Sequence, residues 1–369
     1  MSIMLDRFIE SMIDEDADSL FLIAGARPFF RRNTQTIDLA MDPLTAGDIE
    51  GLVDTFSSHA TKRNQDGRIS EIDFSLSLTS RGRFRINAYR QRGSMAVSIR
   101  RIRTNVHDIN ELGLPQNVQD MILDDAGLII VAGPGSCGKS HTLASMIQHR
   151  NREREGYILT IENPIEYIFK HDRSVIAQRE LQIDTETAED AFVSAYRQSP
   201  DMAVIGEIRD ELAMRHTLGF AESGNLCLAT IRATNAVQAI RRMIAFFPPE
   251  QQDYALDTLA VNLRCIVAQR MLPALKGGNV AVHEVLYIHP DIREHIRTQN
   301  IRALEDTFRN PEGKYAQIFW DKVLCDRVDS SIISLETAMR YAHDSKWVGA
   351  ELQRRKDFKR FSEKQMPPV

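Results

Sequence analysis

The sequence predicts an α/β fold: a domain built on a mostly parallel sheet, preceded by a smaller α+β domain. Three observations predict it. Continuous apolar runs recur at Leu128–Ala132, Ile158–Ile161, Ala203–Ile205 and Leu226–Ala229, as in strands buried on both faces, with helical stretches between them. The first run leads directly into the glycine-rich segment Gly133–Ser140. Before residue 118 the pattern differs, with strands that alternate apolar and polar residues.

The bulk numbers agree with two domains. At 369 residues the chain exceeds one ordinary core. A hydrophobic content of 43% with 26% charged residues is that of a globular protein. A net charge of −5 and a pI near 6.1 argue against a protein that coats nucleic acid, so no nucleic-acid partner is expected. The start, Met1-Ser2-Ile3-Met4-Leu5-Asp6-Arg7, has no basic stretch followed by a long apolar run. No segment approaches the roughly 18 apolar residues of a membrane span. Cys137, Cys227, Cys265 and Cys325 form no CxxC pair. A cytoplasmic setting without disulfides or structural zinc is the expectation.

The first domain is expected over 1–103. Leu5, Phe8, Ile9, Met12 and Ile13 recur at helical spacing. Ser19–Ala24 and Ile72–Leu78 read as strands. Thr79-Ser80-Arg81-Gly82 signals a turn, and Phe84, Ile86 and Ala88 alternate with Arg85 and Asn87, which predicts a hairpin. A linker with Gly113 and Pro115 occupies 104–117. The α/β domain follows over 118–290 and C-terminal helices over 291–345. A basic tail, 346–369, carries Arg354, Arg355, Lys356, Lys359 and Arg360 and ends Pro367-Pro368-Val369; it reads as frayed or disordered.

Gly133-Pro134-Gly135-Ser136-Cys137-Gly138-Lys139-Ser140 satisfies GxxxxGK[ST] between a buried strand and a helix bearing Leu143, Met146 and Ile147. Such a loop curls its N–H groups toward phosphate oxygens, helped by the positive end of the helix dipole. Lys139 would reach the β and γ phosphates of ATP, and the Ser140 hydroxyl would ligate Mg²⁺. Met202–Glu207 is an apolar strand that ends in an acid, which could hold the Mg²⁺ shell through water. Ile161-Glu162-Asn163-Pro164-Ile165-Glu166 ends a strand at the same edge. A carboxylate there could orient or deprotonate the attacking water, and spacing leaves Glu162 and Glu166 both open.

In order along the chain, the phosphate loop, IENPIEYIF (161–169), QREL (178–181), VIGEIRD (204–210) and FAESGNLCLAT (220–230) resemble the secretion ATPases of type IV pilus and type II secretion systems. NAVQAIRRMIAFFPPE (235–250) and VNLRCIVAQRMLP (261–273) are similar to the retraction branch, PilT and PilU, with the LCLAT and FFPPE wording nearest the PilU side. DSLFLIAGARPFFR (18–31) and GRFRINAYRQR (82–92) extend the resemblance, which runs from about Leu5 to Arg340.

The resemblance implies a PAS-like N-terminal domain, a RecA-like ATPase domain, and a homohexamer with ATP between subunits. It implies Lys139 and Ser140 as the Walker A pair, Glu207 as the Walker B acid and Glu166 as the residue that activates water. Arg85 and Arg100 match N-domain arginines that reach a neighbour's nucleotide. Residues 291–297 resemble a helix that matters for retraction rather than hydrolysis. A PilT-like paralogous ATPase and an inner-membrane pilus platform protein are the implied partners, at the cytoplasmic side of the pilus base.

The departures from the family pattern are specific. Ser136 stands where a glycine is usual, His141 where threonine is, and Asn163 where aspartate is. The family's two His-box histidines correspond to Asn225 and Arg232. Two readings follow: a motor that hydrolyses ATP to retract a pilus, or a catalytically weakened nucleotide-binding ring that acts with an active paralogue. A DNA motor lacks the basic and aromatic interleaving it needs. Cys137, at a helix N-terminus, is expected to have a lowered pKa and to be alkylated selectively, with ATP protecting it.

Overall fold

The computed structural model describes all residues except 1–2, 33–34, 64–66, 68, 79–80, 103–104, 310–317 and 366–369. Thr79 and Ser80 of the expected turn, the expected boundary at Arg103 and Thr104, and Pro367–Val369 therefore lie outside the described residues. Two compact units are present: Met1–Asn105 with Glu166–Ile168, and Val106–Ile165 with Phe169–Val369.

The amino-terminal unit begins with α1 (Ile3–Asp14), then β1 (Ser19–Ile23), β2 (Phe29–Arg32), β3 (Gln35–Asp38), α2 (Ala46–Asp54), β4 (Ala60–Arg63), β5 (Ile69–Leu78), β6 (Gly82–Gln91) and β7 (Ser94–Ile102). Its sheet has the order β3-β2-β1-β7-β6-β5-β4, with antiparallel pairing throughout. Leu5, Ile9 and Met12 of α1 and Ile49, Leu52 and Val53 of α2 pack with Leu20, Phe84, Ile86 and Ile99 in one core. Thr45 starts α2 with a capping box: its hydroxyl accepts from the N–H of Asp48 while the Asp48 carboxylate accepts from the N–H of Thr45. The expected opening helix and β5–β6 hairpin are present. The short strands β2–β4 carry too few alternating positions to be read from sequence.

The second unit holds α3 (Gln116–Met121), β8 (Gly127–Ala132), α4 (Lys139–Glu153), β9 (Gly156–Glu162), β10 (Ser174–Glu180), α5 (Ala188–Arg197), β11 (Met202–Ile208), α6 (Glu211–Glu222), β12 (Leu226–Ile231), α7 (Ala236–Ala245), α8 (Gln252–Asn262), β13 (Leu263–Pro273), β14 (Asn279–Tyr287), α9 (Pro290–Arg297), α10 (Ile301–Arg309), α11 (Trp320–Asp329), α12 (Leu335–Tyr341) and α13 (Ser345–Gln365). The sheet order is β10-β9-β11-β12-β8-β13-β14. Every pairing is parallel except β13 with β14. All six residues of β8 and all six of β12 are buried. Each large aliphatic side chain there contributes about 1.5–3 kcal/mol by leaving water.

Register positions the site. Ala132 pairs with Ile231 at the ends of β8 and β12, and Ile208 of β11 pairs with Ile231. The segments that follow these strands therefore leave from one edge of the sheet, the carboxyl edge where open α/β sheets bind ligands.

The tail from 346 corrects the sequence reading, because it continues α13. Val348 and Leu352 are buried with Trp320, Val323 and Leu324 of α11 in a second, smaller core. Arg355 is ion-paired with Glu351, Asp326 and Asp329. Arg354 and Arg355, which read as part of a solvated basic run, thus stand on a packed helix and both pair with Glu351; its buried apolar positions, Val348 and Leu352, are too sparse to show as a stripe.

Candidate functional site

The phosphate loop leaves β8 at Gly133, whose N–H donates to the Ile231 carbonyl at 3.2 Å. Ser136 and Gly138 both take left-handed backbone angles, with φ of 57° and 87°. Gly138 adopts this freely. Ser136, which stands where a glycine is usual, adopts it at a cost of about 1–2 kcal/mol. A Cβ on Gly133 would come within 2.6 Å of the Gln269 carbonyl oxygen, and one on Gly138 within 2.9 Å of Gln269 Nε2. The loop therefore closes tightly on β13 and cannot carry side chains at either glycine. Lys139 is largely buried, and its Nζ donates to the carbonyls of Gly133 (3.0 Å) and Pro134 (2.8 Å). The ammonium lies inside the loop on acceptors that a phosphate oxygen can replace. Ser140 is half-buried in the first turn of α4. The His141 ring meets that of His107 edge-on at 4.6 Å.

Cys137 departs from expectation. Its side chain is 3% exposed, and burial raises the thiol pKa against the opposing pull of Lys139. A helix N-terminus lowers a thiol pKa only where the thiolate can remain solvated.

Glu207 is near the end of β11, separated by β12 from the loop strand, which is roughly 10 Å at normal strand spacing. Its Oε1 accepts from Arg232 Nε at 2.7 Å, and Arg209 forms a second ion pair with Oε2. Burial pushes the carboxyl pKa up, but the hydrogen bonds and charges of Arg232 and Arg209 outweigh it and hold the acid below its ordinary value. Glu207 is thus ionised, as an acid that serves a metal shell must be. Arg232 leaves the carboxyl end of β12 and here faces this carboxylate.

Asn225 is elsewhere. It precedes β12, so it lies at the opposite edge of the sheet: its carbonyl accepts from Gly127 N–H at the start of β8, and its Nδ2 donates to the Pro200 carbonyl at 2.6 Å. The six residues of β12 separate it from Arg232, and a strand of six spans about 20 Å. Within one chain the two departures therefore do not share a site.

Glu162, one of the two carboxylates left open by spacing, is engaged inside the sheet. Its Oε1 accepts from Thr160 Oγ1 (2.7 Å) and Gln178 Nε2 (3.2 Å). The Asn163 carbonyl accepts from Arg209 at 3.4 Å. Glu166 groups with the amino-terminal unit. Arg85 and Arg100 are directly opposite each other on β6 and β7. Like charges so paired repel, and Asp73 offsets this by accepting two hydrogen bonds from Arg85, at 2.9 and 2.6 Å.

Gln269 and His283 escaped the reading of individual residues. Gln269 lies on β13 beneath the loop, 2% exposed, and His283 lies opposite it on β14. A glutamine directly after the apolar run Cys265–Ala268 was the available signal, since a buried amide needs partners.

Sheet order, phosphate loop, buried lysine and ionised acid together define a P-loop ATPase. The sequence profile described as "Type II/IV secretion system protein" matches residues 3–277, and the chain belongs to that family. It is 35% identical over 338 residues to the type IV pilus ATPase PilU of Pseudomonas aeruginosa, covering 91% of this chain and 88% of that one. It is 30% identical over 328 residues to the PilT retraction ATPase of the same organism, covering 89% and 95%. The crystal structure of the pilus retraction motor PilT with bound ADP superposes with a TM-score of 0.84 at 33% identity, over 96% of this chain and 99% of that one.

The loop fits a nucleoside phosphate, because glycines at 133 and 138 let the backbone curl tightly against Gln269, where a Cβ would clash, and a buried ammonium is available. Ser140 and Glu207 would hold a Mg²⁺ ion arriving with the nucleotide. Among the described residues, no group of three His, Cys, Asp or Glu side chains could bind a metal without it. No helix among them is long and apolar enough to cross a membrane.

Proposed function

We propose that the protein is a homohexameric motor of a type IV pilus machinery that hydrolyses ATP, with Mg²⁺, to drive pilus retraction. The observation that carries this reading is the convergence of the phosphate loop, Lys139 and ionised Glu207 on one sheet edge, in a chain that resembles PilU and PilT over nine-tenths of its length. Lys139 binds the β and γ phosphates once they displace its loop carbonyls. Ser140, and Glu207 through water, would hold Mg²⁺, which would supply neutralisation of charge on the phosphates. Glu166 orients the attacking water, and Arg85 and Arg100 serve a neighbouring subunit's nucleotide, as closed heterologous rings allow. A PilT-like paralogue and an inner-membrane platform protein are the proposed partners.

A second reading, a weakly hydrolysing accessory ring, is favoured by one observation: Glu207 is held by two arginines, one of which replaces a histidine of the family. Steady-state ATPase measurement on the purified protein, with Lys139→Ala and Glu166→Gln as controls and ADP binding in parallel, separates the two. Turnover abolished by both substitutions supports the motor. ADP binding with turnover no higher than that of the variants supports the accessory ring, and absence of nucleotide binding overturns both.

A further inference from the structure

Gln269 makes a contact with the phosphate loop that no motif of the loop itself predicts. Its Nε2 donates to the Cys137 carbonyl at 2.6 Å. Its Oε1 accepts from Thr142 Oγ1 at 2.6 Å and faces His283 Nε2 at 3.2 Å. These partners decide the amide's orientation. The Cys137 carbonyl can only accept, so the NH₂ faces it and the amide oxygen faces the Thr142 hydroxyl and the His283 ring. All four residues are buried, Gln269 at 2%, Thr142 at 1%, His283 at 4% and Cys137 at 3% exposure.

The consequence for the loop follows from peptide geometry. In a planar trans peptide the C=O and N–H point in opposite directions. Holding the Cys137 carbonyl toward β13 turns the N–H of Gly138 away from the sheet and into the loop's cradle. The Thr142 hydroxyl ties the same amide to the first turns of α4. Gln269 therefore links three things whose relative placement defines a phosphate cradle: strand, loop peptide and helix start. The glycine at 138 belongs to this arrangement, since a Cβ there would lie 2.9 Å from Gln269 Nε2.

We propose that Gln269 is a positioning residue for nucleotide binding: it sets the Cys137–Gly138 peptide so that the Gly138 N–H is presented to the phosphates, with Thr142 and His283 orienting its amide. The inference rests on the ATPase reading of the loop.

The test is a double-mutant cycle on the full chain, with Gln269→Leu, Thr142→Val and the double variant. Affinity for a fluorescent ADP is titrated, and KM and kcat for ATP are measured. Leucine keeps the volume and removes both hydrogen-bonding ends. Affinity for ADP is expected to fall roughly tenfold in Gln269→Leu and about threefold in Thr142→Val. KM is expected to rise by similar factors while kcat changes less. The double variant is expected to match Gln269→Leu, because Thr142 acts through the amide. A merely structural role would lower the melting temperature and leave ADP affinity within twofold of the parent, which would overturn the proposal, as would losses that multiply in the double variant. If Gln269→Leu does not fold, Thr142→Val decides: a folded protein with weakened ADP binding supports the proposal, and unchanged affinity overturns it. Failure of the parent chain to bind ADP would overturn the ATPase reading as well, so the two failures are distinguishable.

Discussion

Two neighbouring residues of β14 carry opposite pH linkages, and substituting one exposes the other. Glu284 is 1% exposed, with Oε1 accepting from the Ala236 N–H at 2.6 Å at the start of α7. Burial, supported by the charge of Asp321 and opposed by the Ala236 N–H and Arg270, raises its pKa from 4.5 to about 7. His283 is lowered from 6.5 to about 4 by burial, with the charge of Arg327 acting in the same direction. For Glu284 the folded state binds its proton more tightly than the unfolded state does. The stability associated with that proton is fully present below pH 4.5 and is lost as pH rises through about 7, a change of about 3 kcal/mol. For His283 the unfolded state binds the proton more tightly, so stability is present above pH 6.5 and is lost by about 3 kcal/mol as pH falls through about 4. Between pH 4.5 and 6.5 the two largely cancel.

Glu284→Gln keeps the shape and the acceptor for Ala236. Its unfolding free energy minus that of the parent should rise by about 3 kcal/mol from pH 4.5 to 7.5. His283→Gln should show the reverse difference, falling by about 3 kcal/mol between pH 4 and 6.5. Urea unfolding followed by tryptophan fluorescence reads this, since both tryptophans, Trp320 and Trp347, lie in the ATPase unit. Taking differences removes the titration of the other carboxylates. A Glu284→Gln difference constant within about 0.5 kcal/mol across the range would refute the assignment of a raised, buried carboxyl.

Two further outcomes are expected. Cys137 in the native protein should react with iodoacetamide no faster than the other cysteines, with or without ADP, because all four thiols are buried; mass spectrometry after timed labelling checks this, and fast ADP-sensitive labelling would contradict it. Arg150→Leu should destabilise the ATPase unit by about 2–5 kcal/mol. Arg150 is 2% exposed and donates to the Ile122 and Asp124 carbonyls at 2.7 and 2.8 Å, so a melting temperature unchanged by the substitution would show that those carbonyls find other partners.

Legibility followed locality. The phosphate loop is eight consecutive residues, and its chemistry depends on backbone freedom and one lysine, so Gly133–Ser140 could be read directly. Glu207 could be read because the apolar strand Met202–Ile205 points to it. Asn225 could not be placed by alignment of motifs: only the parallel register of β12 with β8 sends it to the sheet's other edge while Arg232 goes to the site. The fate of Arg232 is likewise a matter of pairing across strands, because its partner lies 25 residues away on β11.

The sequence by itself determined the fold class, the buried parallel strands and the nucleotide loop, because hydrophobic periodicity and loop chemistry are properties of contiguous residues. The tertiary structure alone decided that α13 packs as a helix, that the Cys137 thiol is buried with a raised pKa, that Glu207 is ionised between Arg209 and Arg232, and that Gln269 grips the loop from 132 residues away. Each of these depends on burial or on pairing between distant segments. A side chain's solvation and charge state are fixed by what folds over it.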